Sequence, residues 1–371
     1  MKILIVTGRT GGHFYPAKTF ASALKRRYPD ANVHFVLSRG TAENVLEEEI
    51  SNAGNIHYLP SFPWRGLFQP GIISFLVSLA KAFFQSWKLM KSIKPDLIVG
   101  FGSYLAFPVV ITGWLARTKI LIHEQNVVMG KANRFLLPFV TQVAVSFSDT
   151  IKSKFQKKFI VTGNIIRSEL IRDARLMKWV KKSGDDFHIL VCGGSQGARE
   201  LNRQVLEAFS NLKESVSKRI CVSHLAGIAD ENRVKEKYVS LGIKADVKSF
   251  SRNMSSEYQA ADLVISRSGA GTLFELVLFQ VPAILIPYPY SGAHQFENAD
   301  MLVKFGRAWL KAEDLSSQIS ELIQSPGHLV SVRDRLKDFL KVDDGENLVQ
   351  VASGLFSSPF FPPPFLRERV G

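Results

Sequence analysis

Two Rossmann-like, doubly wound α/β domains are predicted by three observations. Short apolar runs alternate with helix-length segments, the alternation occurs in two series, and glycine-rich turns close apolar runs in both. Apolarity that is continuous within each run indicates strands covered on both faces, the pattern of a parallel sheet between helix layers. Ligands of such sheets bind at the carboxyl ends of the strands. At 371 residues the chain is too long for one small core and long enough for two.

The first series opens with Ile3–Val6, then the turn Thr7-Gly8-Arg9-Thr10-Gly11-Gly12-His13, then an amphipathic helix. Val33–Leu37, Ile56–Leu59, Leu97–Phe101, Ile120–His123 and Val143–Val145 continue it. After Phe159-Ile160-Val161 come Thr162-Gly163-Asn164 and a basic helical stretch, which places a first domain at 1–163 and a second at 164–343. Phe187–Cys192, Ile220–Leu225, Ala245–Lys248, Leu263–Ser266 and Ala283–Pro287 form the second series. A last helix, about 344–357, could close the second domain or return to the first. Ser358–Phe365 holds four prolines in eight residues and cannot continue it, so 358–371 reads as a disordered tail.

Composition narrows the partners. A net charge of +14 favours an anionic one: nucleic acid, an anionic lipid surface or a phosphorylated substrate. Cys192 and Cys221 each sit in an apolar run, against a disulfide framework or a metal site. No uninterrupted apolar stretch reaches the roughly 18 residues of a membrane span, which suits a soluble or peripheral protein. Phe62–Lys94 mixes Phe62, Trp64, Leu67, Phe68, Ile72, Ile73, Phe75, Leu76, Phe83, Phe84 and Trp87 with Arg65, Lys81, Lys88, Lys91 and Lys94. That mixture suits an anionic interface as well as it suits a buried crossover helix.

The turns carry the chemistry. Glycines in the first one present unpaired N–H groups at a helix start, where an anion or oxygen-rich ligand fits, and put a residue titrating near neutrality, His13, beside it. Gly100–Tyr104, Gly193–Ala198 and Ser268–Thr272 repeat the device. The last offers small side chains and a helix N-terminus, enough to hold a diphosphate, with Glu275 one turn on to accept ribose hydroxyls. His123-Glu124-Gln125-Asn126 ends a strand in four polar residues, which packing does not explain. His294, Gln295 and Asn298 face one side of a helix start. Several such turns in both domains point to an interdomain cleft for a phosphate and sugar ligand. There is no Asp-x-Asp pair of the kind that binds Mg²⁺ to a nucleotide sugar; the sequence requires no cofactor and leaves a divalent metal open.

These motifs, in order, resemble the MurG family: Thr10–His13, Gly100–Tyr104, His123–Asn126, Gly163-Asn164 with Arg167, Gly193–Ala198, Ser268-Gly269-Ala270 with Thr272 and Glu275, and Gln295 with Asn298-Ala299. The resemblance implies a GT-B fold, two Rossmann-like domains separated by a cleft, with the last helix returning to the first domain. It implies an inverting hexosyltransferase that moves N-acetylglucosamine from UDP-N-acetylglucosamine to the muramoyl 4-hydroxyl of lipid I, giving lipid II. His13 is then the candidate base and Glu124 its companion in the chemistry. Thr10, Gly11, Gly12, Asn126, Arg167, Ser195, Ser251, Ala270, Gly271, Thr272, Glu275, His294 and Gln295 would bind the donor, with Tyr104 and Asn202 on the acceptor side. The implied partners are the two substrates, an anionic membrane surface at the cytoplasmic face of a bacterial plasma membrane and other cell-wall synthesis proteins, without nucleic acid. Another lipid glycosyltransferase of this fold, a UDP-N-acetylglucosamine 2-epimerase and a non-catalytic lipid-binding scaffold are the alternatives. Arg9 and Ser103 stand at usual glycines, Gly271 at a usual leucine, Met129 and Ile165 at usual prolines, and His294 at a usual glutamine.

Overall fold

Uninterrupted Val, Ile and Leu give strands whose alternate side chains enter opposite layers, and the first strand shows it residue by residue. Ile3 and Ile5 of β1 (Lys2–Val6) join a buried cluster with Phe20, Phe35 and Val99, while Leu4 and Val6 join another with Val36, Ile98 and Ile122. The computed structural model describes residues 1–8, 10–38, 50, 53–60, 72–151, 155–177, 186–194, 198–289, 294–337 and 339–356. Arg9, Ser195, Phe62 to Phe68 and the tail from 358 lie outside them.

The chain forms two units, Met1–Arg167 with the chain from Asp343 onward, and Ser168–Val342. The first contains β1, β2 (Asn32–Ser38), β3 (Asn55–Leu59), β4 (Leu97–Gly100), β5 (Lys119–Glu124), β6 (Gln142–Val145) and β7 (Phe159–Val161) in a parallel sheet of order β3-β2-β1-β4-β5-β6-β7. The order reverses between β1 and β4, so a crevice opens beyond their carboxyl ends. Ile5 pairs with Phe35 on one side and Val99 on the other, which fixes both registers. β5 runs one residue beyond the apolar stretch and includes Glu124.

A short strand, β8 (Asn164–Ile165), follows the Gly163 turn, where φ is +86°. Ile166 N then donates to Asp343 O at 2.8 Å, and Asn347 Nδ2 to Thr162 O at 2.9 Å. These bonds bring in the helix Glu346–Phe356, capped by Asp343, whose carboxylate accepts from Asn347 N and Leu348 N. Its buried Leu348, Val349 and Ala352 complete the layer that holds Phe20. Gly345, at φ +95°, passes so close to the helix Gly11–Arg27 that a Cβ there would meet Ala23 at 2.9 Å.

The second unit has β9 (Phe187–Cys192), β10 (Ile220–Leu225), β11 (Lys244–Lys248), β12 (Leu263–Ser266), β13 (Ala283–Leu285) and β14 (Trp309–Leu310), again parallel, ordered β11-β10-β9-β12-β13-β14. Its order reverses between β9 and β12. β11 is an edge strand with partly exposed side chains, in keeping with its alternation of Ala245 and Val247 with Asp246 and Lys248. β14 is too short to leave a signal in the sequence.

Candidate functional site

Each reversal point carries a cluster of the residues singled out above. In the first unit the helix Gly11–Arg27 starts directly beyond β1, with Thr10 extended at φ −77° and its carbonyl accepting from His13 N and Phe14 N. The His13 ring lies over two glycines. A Cβ on Gly8 would stand 3.0 Å from His13 Cδ2, and one on Gly102 2.8 Å from Cε1. Gly102 also has φ +84°, which a side chain rarely adopts, so glycine is required twice over there. Ser103 follows at φ +73°, a left-handed conformation in a residue with a Cβ, at the position where the resembling family has glycine.

Gln125, next to the end of β5, reaches the same ring. Its Nε2 lies 3.0 Å from His13 Nδ1. Burial holds the His13 pKa below the ordinary 6.5, opposed in part by the Glu124 carboxylate and the Phe101 carbonyl. The imidazole is therefore neutral at pH 7, as a proton acceptor must be.

Glu124, which the sequence places in the chemistry, has a different occupation. Oε1 accepts from Asn126 N at 3.0 Å and Asn126 Nδ2 at 3.1 Å, and Oε2 from Gly130 N and Asn133 Nδ2, both at 2.9 Å. Four donors around one buried carboxylate make an anchor for the loop 126–133. Asn126 is held through that anchor, its carbonyl also accepting from Thr150 Oγ1 at 3.1 Å. His123 is fully buried, burial pushes its pKa to about 4, and neither ring nitrogen has a hydrogen-bond partner among the described residues. Tyr104 is half exposed, and the Arg167 guanidinium sits 5.1 Å from the centre of the Tyr15 ring.

In the second unit β9 ends in Gly193-Gly194, where a Cβ on Gly193 would collide with Ala198 at 2.4 Å and Gly194 has φ +94°. Beyond β12, Gly269 is extended and the helix Ala270–Phe279 begins. A Cβ on Gly271 would meet nothing within 4 Å, so the backbone there opens onto free space. Thr272 and Glu275 lie partly exposed on this helix. The helix His294–Val303 is tied to the same turn: Ser268 Oγ donates to Gln295 O at 2.7 Å, and Asn298 Nδ2 to Ser268 O at 3.2 Å. Gln295 Oε1 accepts from Tyr288 N at 2.9 Å. Two helix starts, at Ala270 and at His294, thus converge on Ser268. Arg267 is buried beside them and donates through Nη1 to Ile286 O and Pro287 O. Ser251 follows exposed Phe250 beyond β11, its Oγ accepting from Asn253 N at 3.3 Å.

Asn202 departs from its expected place on the acceptor side. It is 0% exposed. Its Nδ2 donates to Ala226 O and Asp230 Oδ2, and its Oδ1 lies 3.0 Å from His224 Nε2. With His224 Nδ1 at 2.9 Å from Tyr238 OH, this is a closed internal network that shapes the turn after β10.

Sequence reasoning missed the roles of Gln125, Asn133, Arg267 and Tyr258. Only Gln125 carried a signal, its place in the polar strand end. Among the described residues, no group of three or more His, Cys, Asp or Glu side chains could hold a metal ion.

Two doubly wound parallel-sheet domains with glycine turns at both reversal points are an architecture that several activities share, and the family comparison assigns this chain to the glycosyltransferases. Residues 3–145 match the glycosyltransferase family 28 N-terminal domain and residues 188–338 the glycosyltransferase family 28 C-terminal domain. The chain belongs to the family of UDP-N-acetylglucosamine--N-acetylmuramyl-(pentapeptide) pyrophosphoryl-undecaprenol N-acetylglucosamine transferases. It is 34% identical over 334 residues to the protein of that name from Anaeromyxobacter sp. (strain K), covering 88% of this chain and 85% of that one. It is 33% identical over 367 residues to the one from Thermodesulfovibrio yellowstonii, covering 96% and 99%. The crystal structure of Acinetobacter baumannii MurG superposes with a TM-score of 0.73 at 23% identity, over 95% of this chain and 100% of that chain.

Proposed function

We propose that the chain transfers N-acetylglucosamine from UDP-N-acetylglucosamine to the muramoyl 4-hydroxyl of lipid I, with inversion, giving lipid II and UDP. The observation that carries this is the identity of 33–34% along nearly the full length of transferases that bear that activity in their names. The site chemistry agrees with it. A neutral His13 accepts the proton of the attacking hydroxyl while the anomeric bond to UDP breaks and its electron pair leaves with the diphosphate. The N-terminus at Ala270, with open backbone at Gly271 and the Thr272 hydroxyl, stabilises that leaving charge. Glu275 accepts from the ribose, Ser251 reads the uracil through its backbone, with Arg167 near the nucleotide, and His294 and Gln295 face the donor sugar. Thr10, Gly11 and Gly12 of the first turn and Asn126 beyond β5 are assigned to the donor as well. Ser195, outside the described residues, is assigned to the diphosphate by the resemblance alone.

The anionic membrane surface belongs to the same reading. No helix among the described residues is long and apolar enough to cross a membrane. The helix Ile72–Ile93 instead exposes Ile73 at 75%, Leu76 at 53% and Phe84 at 60%, with Lys88 Nζ 4.6 Å from the Phe84 ring centre and Lys91 Nζ 5.5 Å from that of Trp87. Apolar side chains backed by ammonium groups suit lipid with an anionic headgroup. Phe75 packs inward on the core and takes no part. Vesicles containing phosphatidylglycerol should float the wild type and lose a variant with Ile73, Leu76 and Phe84 changed to serine. Equal flotation removes this surface from the account.

A further inference from the structure

Tyr258 lies outside every motif described above, yet it ends on the carboxylate to which the ribose is assigned. Its hydroxyl donates to Glu275 Oε2 at 2.8 Å. The residue belongs to the short helix Met254–Ala260, started by Asn253, whose side chain accepts from Ser256 N. That helix is pinned by Ser255 Oγ donating to Asp173 Oδ2 at 2.7 Å. The tyrosine ring is 1% exposed and stacks on Phe279, centroids 5.3 Å apart at 25°. Phe279 is one turn beyond Glu275 on the helix Ala270–Phe279, so the phenol runs along the inner side of that helix from the one residue to the other.

A buried phenol needs an acceptor, and a backbone carbonyl commonly serves. Here the acceptor is a carboxylate that itself reaches solvent, on a helix whose N-terminus is the proposed diphosphate site. A partly exposed carboxylate does not need a buried donor to be hydrated. What the contact supplies is orientation. A glutamate has three rotatable bonds, and a tyrosine fixed by stacking has none left to give away, so the hydroxyl sets the plane in which the two carboxylate oxygens lie. A vicinal diol is recognised by a carboxylate whose plane faces it, one hydroxyl to each oxygen.

We propose that Tyr258 is a positioning residue for nucleotide recognition: through Glu275 it sets the preference of this site for ribonucleotide over 2′-deoxyribonucleotide donors. The proposal rests on the assignment of Glu275 to the ribose. Oε2 has two lone-pair directions, and the tyrosine occupies one while leaving the carboxylate in a fixed attitude toward the sugar. The specificity then depends on a hydroxyl that never touches the substrate.

The test is calorimetric binding of UDP and 2′-deoxy-UDP to the full chain, with donor kinetics alongside. Tyr258→Phe keeps the ring stack and removes only the hydroxyl. It should weaken UDP about tenfold, the scale of one hydrogen bond to a charged group, and weaken 2′-deoxy-UDP, which keeps only the 3′-hydroxyl for the carboxylate, by clearly less. KM for the donor should rise by the same factor with kcat retained. In the Glu275→Gln background the change should add nothing further. Phe279→Leu keeps the hydroxyl but loosens the ring that holds it, and should lose part of the same discrimination. Equal weakening of both nucleotides by Tyr258→Phe, or full additivity with Glu275→Gln, would overturn the proposal and leave the tyrosine as packing. If Glu275→Gln itself leaves the ribose preference intact, the ribose assignment is wrong and the proposal falls with it.

Discussion

Gln125 Nε2 lies 3.0 Å from His13 Nδ1, which ties the tautomer of the imidazole to the orientation of the amide. With the amide NH2 toward Nδ1, the neutral ring carries its proton on Nε2. With the amide oxygen there, the ring proton sits on Nδ1 and Nε2 is left to accept the substrate proton. Gln125→Glu fixes the second arrangement and favours the imidazolium, so the acid limb of kcat/KM should move up by roughly one pH unit. In the wild type that limb lies below pH 6.5, because burial lowers the His13 pKa. A limb that stays in place in Gln125→Glu would detach the pair from the chemistry.

Glu124 is saturated by donors, and its removal should therefore read as a folding defect. Glu124→Gln turns an acceptor toward Gly130 N and Asn133 Nδ2 into a donor facing donors, or does the same at Asn126. The expected cost is about 3 kcal/mol, seen as a lower urea midpoint, since buried groups lose their partners. Stability within about 0.5 kcal/mol of wild type would contradict the anchoring role.

The Gly102-Ser103 turn separates two backbone demands. Ser103, at φ +73°, carries the strain of a Cβ in the left-handed region, and Ser103→Gly should raise stability by about 0.5–1 kcal/mol. Gly102→Ala should do the opposite and displace His13, whose ring carbon would stand 2.8 Å from the new methyl. Melting curves and transfer rates of the two variants separate strain from catalysis. A Gly102→Ala enzyme with wild-type rate would remove the ring seat from the account.

Acid should destabilise the fold through buried histidines. Burial lowers His123 to about 4 and His224 to about 3. Both are neutral in the folded chain, whereas the unfolded chain binds their protons from about pH 6.5. Their contribution is thus complete above pH 6.5 and declines as pH falls toward 4 and 3, by about 1.4 kcal/mol per group per pH unit. Urea midpoints at pH 7.5, 6.0 and 5.0 should fall in that order. His123→Phe, which keeps a ring beside Phe101, should flatten the decline. An unchanged slope would show that this imidazole does not titrate with folding.

Apolar runs located every long strand because a parallel strand buried on both faces has no polar alternation to hide it. β11 was located too, though Ala245-Asp246-Val247-Lys248 alternates apolar with charged residues, the pattern of an edge strand with one side open. Of the candidate site, the glycine turns were legible from the backbone freedom they supply, and His13 from its place among them. Glu124 and Asn202 were recognisable as polar residues at strand and helix ends, but whether a carboxylate or amide faces a ligand or its own loop depends on partners elsewhere in the chain, the donor Asn133 for Glu124 and the acceptor Asp230 for Asn202. Tyr258 left no trace because its meaning lies in a contact seventeen residues away.

The most direct measurement of the central claim is transfer of labelled N-acetylglucosamine from UDP-N-acetylglucosamine to a lipid I analogue by the wild-type chain and by His13→Ala. The account predicts labelled product from the wild type and a fall of about 10²–10⁴-fold in kcat for the variant, the range of a lost general base. A folded wild-type protein that binds the donor and transfers nothing would contradict it.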